Sequence, residues 1–241
     1  MHIIIDGGNT RIKVAQFQNQ SCVQVDSFED QAGFENFLKN FSSELACISS
    51  SVGSWSMELP KHHFKTYFEL SPALAMPMPI LYASPETLGN DRRALAAAAF
   101  KTFPNENVLV LDLGTALTAD FVDDQGNYHG GAISPGLKMR FKALNRFTAS
   151  LPLVDWSGLN FPHLIGESTE NSILSGVVRG YAAEISAWIG QYQEEFGAIR
   201  TVITGGDATL LLRWMKNDIF APPNFLLNGL DYILEYHLNQ I

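Results

Sequence analysis

Hydrophobic residues along the chain fall into short continuous or alternating runs, and the clearest run ends on a carboxylate. Residues 108–111 are all Val or Leu, which suits a strand buried on both faces of a sheet. Asp112 follows directly, Gly114 lets the backbone turn, and residues 116–122 resume an apolar pattern. The pattern therefore predicts a strand, a tight turn headed by Asp112, and a returning strand.

The chain begins with the same arrangement. Residues 2–5 form a largely apolar run that ends at Asp6 and Gly7, and residues 11–17 alternate as a half-buried strand does. Amide hydrogens of such turns, with the hydroxyls of Thr115 and Thr118 in the later copy, can donate to phosphate oxygens. We expect the two turns to face each other across a cleft as a phosphate clamp. For either copy alone, an ordinary tight turn capped by its Asp is the alternative.

Strands and helices alternate along the remaining chain. Strands are expected at 22–28, 45–48, 128–133 and 201–204, and helices at 29–41, 94–100, 136–148 and from 166 onward. In the last helix, an apolar stripe suited to burial in a core or against a second subunit comprises Ile173, Val177, Tyr181, Ile185 and Trp188. A repeated strand-turn-strand device in 241 residues favours two similar lobes.

The composition indicates which kinds of binding partner and which cellular compartment to expect. The net charge is −9 at pH 7, and no Lys/Arg cluster is interleaved with aromatics, so a nucleic-acid partner is disfavoured. Cys22 and Cys47 lie in predicted strands, which fits a reducing cytoplasm. No signal-peptide pattern precedes Asp6, and no apolar stretch is long enough to span a bilayer. We therefore expect a soluble cytoplasmic protein with no nucleic-acid or membrane partner.

A further polar segment lies just before the alanine-rich helix. Gly89 breaks the chain there, and Asn90, Asp91 and Arg92 follow. An adjacent Asp–Arg pair can present a carboxylate base and a guanidinium anchor to one small acidic substrate. Capping of the helix by Asn90 or Asp91 is the alternative, and the spacing alone does not decide between the two.

Small residues also lie at the ends of three predicted strands, where they leave room for a ligand. Residues 130–136 precede a predicted helix, although a plain loop also explains them. Gly205 and Gly206 lie between a strand and a helix. They form a third site compatible with a nucleotide, in addition to the two phosphate turns. Residues 49–53 are a small-residue turn at a strand end, and we assign them no ligand.

Together these motifs resemble type III pantothenate kinases. The matching segments are residues 6–13, 89–92, 112–116, 130–136, 169–173 and 204–207, and the match they outline extends over nearly the whole chain. Actin, sugar kinases and acetate kinase share the paired phosphate turns, whereas Gly-x-Asp-Arg in this order is much more specific. The departures are slight: Gly7 stands where an aliphatic residue is expected, and Asn90 where alanine is more usual.

The resemblance implies an α/β protein with two ribonuclease-H-like lobes of the actin-like ATPase type, each a mixed β-sheet with flanking helices. The lobes would comprise residues 1–108 and 109–241, with ATP between them. The implied activity is phosphorylation of pantothenate to 4′-phosphopantothenate, the first step of coenzyme A biosynthesis. Mg²⁺ would accompany ATP, Asp112 would hold a monovalent cation, K⁺ or NH₄⁺, and a homodimer would complete each active site at its interface.

The same resemblance assigns roles to individual residues. Those that would bind ATP are Asp6, Gly7, Gly8, Asn9, Thr10, Arg11, Ile12, Lys13, Thr115, Gly205 and Gly206. Those that would contact pantothenate are Tyr82, Gly89, Asn90, Asp91, Arg92 and, from across the interface, Thr169 of the partner subunit. Asp91 would be the catalytic base that takes the proton of the primary hydroxyl. Phosphoryl transfer depends chiefly on in-line positioning and charge neutralisation, with a carboxylate orienting the nucleophile, so these roles are chemically consistent.

Two other functions remain open. One is an actin-like ATP-binding regulator without small-molecule turnover, and the other is a different small-molecule kinase of the same superfamily, such as a sugar or acetate kinase. Asp91 and Arg92 discriminate among the three, because only the pantothenate kinase interpretation gives this pair a specific task.

Overall fold

A computed structural model describes residues 1–52, 54–156, 160–212 and 222–240. Of the small-residue turn at 49–53, Gly53 therefore lies outside the described residues. By their contacts the residues form two compact units: unit 1 is Met1–Asn105, Val122–Gly130 and Pro223–Ile241, and unit 2 is Glu106–Phe121 and Gly131–Pro222. The division into lobes 1–108 and 109–241 stays a prediction.

Unit 1 is built on a five-stranded mixed sheet with the order β3-β2-β1-β4-β5. Its strands are β1 (His2–Gly7), β2 (Ile12–Gln18), β3 (Ser21–Phe28), β4 (Ala46–Ser51) and β5 (Thr66–Glu69). The central strand β1 pairs antiparallel with β2 and parallel with β4. This register places Asp6 opposite Lys13 on one side and opposite Ser50 on the other.

Helices cover both faces of this sheet. They are α1 (Gln31–Leu38), α2 (Glu58–His63), α3 (Asn90–Thr102) and α8 (Phe225–Leu238). Ile3 and Ile5 belong to an apolar cluster with α1, whereas Ile4 belongs to a second cluster with α3 and α8. Successive strand residues point to opposite faces, so β1 is buried from both sides. His2 also bonds the buried Asp231 of α8 at 2.9 Å, which ties the last helix to the first strand.

Unit 2 contains most of a four-stranded sheet with the order β8-β7-β6-β9. The strands are β6 (Asn107–Leu113), β7 (Ala116–Val122), β8 (Tyr128–Pro135) and β9 (Ile199–Thr204), and β6 pairs parallel with β9. The helices are α4 (Leu137–Arg146), α5 (Thr169–Leu174), α6 (Gly180–Phe196) and α7 (Ala208–Leu212), with a π-helical turn at Ser175–Arg179 joining α5 to α6.

The apolar stripe of the long helix packs inside its own unit. Ile173, Val177, Tyr181 and Ile185 are buried in the core of unit 2, and Trp188 packs against that core. Burial against a twin helix, the other role considered for the stripe, is therefore not its role in this structure. Helical spacing identified the buried face correctly but did not identify what covers it.

Most of the expected elements are confirmed, with boundary shifts of a few residues. The alanine-rich helix begins at Asn90 rather than at residue 94, so Asp91 and Arg92 lie in its first turn. The sequence interpretation omitted α2, β5 and α8. None of the helices in the described part of the chain is both long enough and apolar enough to cross a membrane.

Candidate active site

The turn between β1 and β2 presents three exposed residues at the end of the sheet of unit 1. The Gly8 amide donates to the Arg11 carbonyl at 3.0 Å, which closes the turn, and Asn9, Thr10 and Arg11 are exposed. Lys13, the antiparallel neighbour of Asp6, adds a cation on the returning strand. Accessible amides and two cationic side chains make this turn suitable for binding a polyphosphate.

A segment that follows β4 supports this turn. The Val52 amide donates to the Gly7 carbonyl at 2.9 Å, and the Trp55 indole Nε1 donates to the Gly8 carbonyl at 2.7 Å. A Cβ on Gly7 would lie 3.0 Å from Met57 Cε and 3.3 Å from Trp55 Cδ1. Met57 and Trp55 thus fill the space that an aliphatic side chain at position 7 would need. Sequence reasoning missed Trp55, although the unusual Gly7 was a signal that another side chain fills this position.

The Asp6 carboxyl lies at the end of β1, largely shielded from solvent. Burial raises the pKa of Asp6 to about 6, Lys13 lowers it, and Asp91 raises it. The interaction with Asp91 brings the first turn and the Gly-Asn-Asp-Arg segment into one neighbourhood within unit 1. Repulsion between like charges disfavours ionisation of Asp6, in the same direction as its burial.

The segment at the start of α3 presents Asp91 beside Gly89. The Asp91 Oδ1 accepts from the Arg92 amide at 2.8 Å, and a Cβ on Gly89 would lie only 2.6 Å from this oxygen. Only glycine at position 89 leaves room for the carboxylate in this position. Among the described residues no side chain caps the helix at Gly89, and Asn90 instead donates to the Leu70 carbonyl at 2.8 Å. Capping by Asn90, one of the alternatives, is therefore wrong.

Arg92 and Tyr82 lie together near Asp91. The Arg92 side chain is buried, and its guanidinium carbon lies 5.6 Å from the centroid of the Tyr82 ring. Contact with the aromatic ring fixes the guanidinium while its charge stays available for a carboxylate. Tyr82 is half-buried, and its ring also fills the space beside Gly130. An acidic small molecule would meet an aromatic surface and a fixed cation here.

The second turn, in unit 2, places Asp112 near the end of β6 and Thr115 at the surface. The Gly114 amide donates to the Ala116 carbonyl at 3.1 Å, and Thr115 is exposed. Thr118, in contrast, is buried on β7 and donates to Asp120 at 3.0 Å. The expectation that Thr118 offers its hydroxyl to phosphate is therefore wrong, whereas Thr115 is accessible to a ligand.

The glycine turn after β9 contacts Asp112. Gly205 has φ +98, which favours glycine, and a Cβ there would lie 2.5 Å from Asp112 Oδ1. The Asp207 amide donates to the Leu113 carbonyl at 3.0 Å, which joins this turn to the end of β6. Gly205 and Gly206 are both exposed and accessible to a nucleotide.

A buried hydroxyl lies among the charges of this region. Tyr181 is fully buried, and its hydroxyl has no hydrogen-bond partner in the described ranges. Burial raises the pKa of Tyr181, Asp207 raises it further, Arg140 lowers it, and Asp112 raises it. The Tyr181 hydroxyl and the carboxylates of Asp112 and Asp207 are oxygen ligands of the kind that a cation binds. Sequence reasoning treated Tyr181 only as a core residue.

Thr169 lies at the rim of an open groove in unit 2. It is the first residue of α5, it is exposed, and Ser168 caps the helix by accepting from the Asn171 amide at 3.2 Å. The groove has a volume of about 870 Å³, and the apolar residues lining it include Leu144, Phe147 and Leu151. Phe147 is 81% exposed, so this surface of unit 2 is strongly apolar.

Comparison with known proteins assigns the family. The family model of type III pantothenate kinase matches residues 2–191. The chain is 46% identical to the type III pantothenate kinase of Christiangramia forsetii, with 100% of both chains covered. Among solved structures, it is similar to a Campylobacter jejuni protein described as a Baf family transcriptional activator, with a TM-score of 0.64, 18% identity and coverage of 98% and 99%. It is also similar to a Sinorhizobium meliloti protein described as a 2-dehydro-3-deoxygalactonokinase, with a TM-score of 0.55, 12% identity and coverage of 100% and 97%.

These structural neighbours show the fold alone, and together with the two mixed sheets they confirm the expected α/β, actin-like class. The assignment to a family rests on the sequence match over nearly the whole chain. The chain belongs to the type III pantothenate kinase family.

Proposed function

We propose that the protein transfers the γ-phosphoryl group of ATP to the primary hydroxyl of pantothenate, which yields 4′-phosphopantothenate and ADP in the first step of coenzyme A biosynthesis. The observation that carries the proposal is the position of Asp91, whose carboxylate lies over Gly89 beside the buried Arg92. A regulator without turnover gives this carboxylate no task. A cytoplasmic location belongs to the proposal, since ATP is the phosphoryl donor.

In the proposed reaction the hydroxyl oxygen attacks the γ-phosphorus while the bond from that phosphorus to the β–γ bridging oxygen breaks. Asp91 accepts the hydroxyl proton, and ADP leaves with the bridging oxygen. The Oδ1 of Asp91 accepts a hydrogen bond from the Arg92 amide, and the Oδ2 of Asp91 has no hydrogen-bond partner in the described part of the chain. Arg92 pairs with the carboxylate of pantothenate, and Tyr82 packs against the substrate.

The residues proposed to hold the phosphates belong to the two turns. Asn9, Thr10 and Arg11 supply exposed donors on the first turn, and the partly buried Lys13 adds a donor from β2. Thr115 supplies a hydroxyl on the second turn. Gly205 and Gly206 would approach the adenosine. The Mg²⁺ carried by ATP would neutralise much of the charge that develops on the phosphoryl oxygens.

A monovalent cation, K⁺ or NH₄⁺, is proposed at Asp112. Support comes from the fully buried Tyr181 hydroxyl, which lacks a partner in the described ranges, and from the nearby Asp207. With a cation bound, the negative charge of Asp112 would be offset and the Tyr181 oxygen would gain a partner. The cation would thereby hold the ends of β6 and β9 in one arrangement.

We also propose a homodimer in which Thr169 of the partner subunit contacts pantothenate. The apolar stripe does not support this, because it is buried in unit 2. Support comes instead from the open groove beside Thr169, whose apolar lining and exposed Phe147 suit a second copy of the chain.

The proposed activity is tested by measuring ADP release with and without pantothenate and by identifying the product by mass spectrometry. We expect ADP release to depend on pantothenate and the product to be heavier than pantothenate by one phosphoryl group. Release that is the same without pantothenate would support an ATP-hydrolysing regulator, and phosphorylation only of a sugar or acetate would support another kinase of the superfamily.

A further inference from the structure

Ser50 lies one residue before the end of β4, and its hydroxyl has no hydrogen-bond partner in the described part of the chain. The residue is 1% exposed, so solvent does not satisfy the hydroxyl either. A buried hydroxyl without a partner destabilises the folded protein. Native proteins keep such groups where a ligand or a mechanism uses them.

The strand register places Ser50 beside Asp6. In the parallel pairing of β1 and β4, Ser50 is opposite Asp6 just as Ile48 is opposite Ile4. Ile4 and Ile48 both belong to the apolar cluster that contains α3 and α8. Because strand side chains alternate with a period of two, Asp6 and Ser50 point to this same face.

The neighbouring serine points to the opposite face. Ser49 follows the alternation of Cys47, which belongs to the cluster on the α1 face. Its hydroxyl shares a hydrogen bond with the Tyr67 hydroxyl at 2.5 Å. Two adjacent serines of one strand therefore differ: the Ser49 hydroxyl has a hydrogen-bond partner, and the Ser50 hydroxyl has none among the described residues.

The face shared by Asp6 and Ser50 is also the face toward α3, whose first turn carries Asp91. The charge of Asp91 raises the pKa of Asp6, which agrees with the placement of both carboxyls on this face. If Asp91 is the base, the acceptor hydroxyl meets the γ-phosphoryl group here. A serine hydroxyl in this place can donate to a phosphoryl oxygen, which an ionised carboxylate cannot do.

We propose that Ser50 is a further phosphate-binding residue of the kinase, whose hydroxyl donates to the γ-phosphoryl group of ATP. The inference rests on the proposed function, since it places the transferred group beside Asp91. It adds to the first turn a donor that contacts the nucleotide only when a γ-phosphate is present. Hydrogen bonds to charged groups are the strong ones, so this contact favours ATP over ADP.

The test compares Ser50→Ala with the matched control Ser49→Ala. Calorimetry measures the affinity of each purified protein for ADP and for the non-hydrolysable β,γ-imido analogue of ATP, both with Mg²⁺. We expect Ser50→Ala to weaken analogue binding by about tenfold or more and to leave ADP binding unchanged. Its melting temperature should not fall, because the hydroxyl lost has no partner among the described residues. Ser50→Thr, which keeps a hydroxyl, should restore much of the analogue affinity.

The control should behave in the opposite way. Ser49→Ala loses the bond to Tyr67, so its melting temperature should fall while both nucleotide affinities stay unchanged. The assignment is overturned if Ser50→Ala weakens ADP and the analogue equally, weakens neither, or lowers the melting temperature as Ser49→Ala does. Because these measurements contain no pantothenate, an analogue-specific loss in a protein that fails to phosphorylate pantothenate would uphold Ser50 and overturn only the proposed acceptor.

Discussion

Replacing Asp6 with asparagine should stabilise the apo protein at neutral pH while removing its activity. Burial raises the pKa of Asp6 from 3.8 to about 6, so ionisation of this carboxyl is harder in the folded than in the unfolded state. A shift of about two units corresponds to about 3 kcal/mol of unfolding free energy. Asparagine has nearly the same shape and cannot ionise, so the variant should recover about this amount.

The gain in unfolding free energy from Asp6→Asn should depend on pH. Because the pKa of Asp6 is higher in the folded state, the wild type is penalised only where the carboxyl is ionised in the unfolded chain. The penalty is absent below about pH 4, grows by about 1.4 kcal/mol per pH unit up to about pH 6, and is constant above that. The stability difference between the variant and the wild type should follow the same curve.

Urea unfolding followed by circular dichroism between pH 4 and pH 8 measures this difference. Asp26→Asn, in the edge strand β3, is the matched control for loss of a carboxylate from the same sheet. We expect a pH-dependent gain for Asp6→Asn and no comparable gain for the control. A difference that does not change with pH, or a variant less stable than the wild type at pH 7, would refute the reasoning about Asp6.

The other predictions concern the cation and the dimer. Relative to sodium, potassium should raise the activity of the wild type by about tenfold and should also raise its melting temperature. The variant Asp112→Ala should lose both responses. Equal rates and equal melting temperatures in the two salts would count against a cation at Asp112. Mixing the inactive variants Asp91→Asn and Thr169→Arg should restore about a quarter of the wild-type activity after subunit exchange, because a heterodimer then contains one site with both defects and one with neither. Exchange demonstrated by mass without recovered activity would contradict the shared site.

The sequence predicted the strands well where their apolar runs are continuous. The runs at β1 and β6 can be recognised without knowing their partners, because burial on both faces makes the central positions of each strand apolar. The helix α8 was missed although Leu227, Leu230 and Leu234 show helical spacing, so it was within reach of the same method. Its buried Asp231 was not, because the partner that satisfies it, His2, is 229 residues away.

In the candidate site, too, the features formed by adjacent residues could be predicted from the sequence, whereas those formed by distant segments could not. Each turn is encoded in adjacent residues, and the Gly-Asn-Asp-Arg segment could be read from its composition. The neighbourhood of Ser50 and Asp6 depends on the pairing of two strands about forty residues apart in the chain, and a shift of one residue would turn Ser50 to the other face. The support of Gly8 by Trp55 likewise depends on where the segment after β4 packs.

The most direct test of the account is the turnover of Asp91→Asn with saturating ATP, Mg²⁺ and pantothenate. If Asp91 is the base, the variant should fold and bind both substrates but turn over about 10²- to 10⁴-fold more slowly than the wild type. If Asp91 only supports the first turn of α3, asparagine should replace it with almost no effect. A variant with near-normal turnover and normal substrate affinity would contradict the central claim.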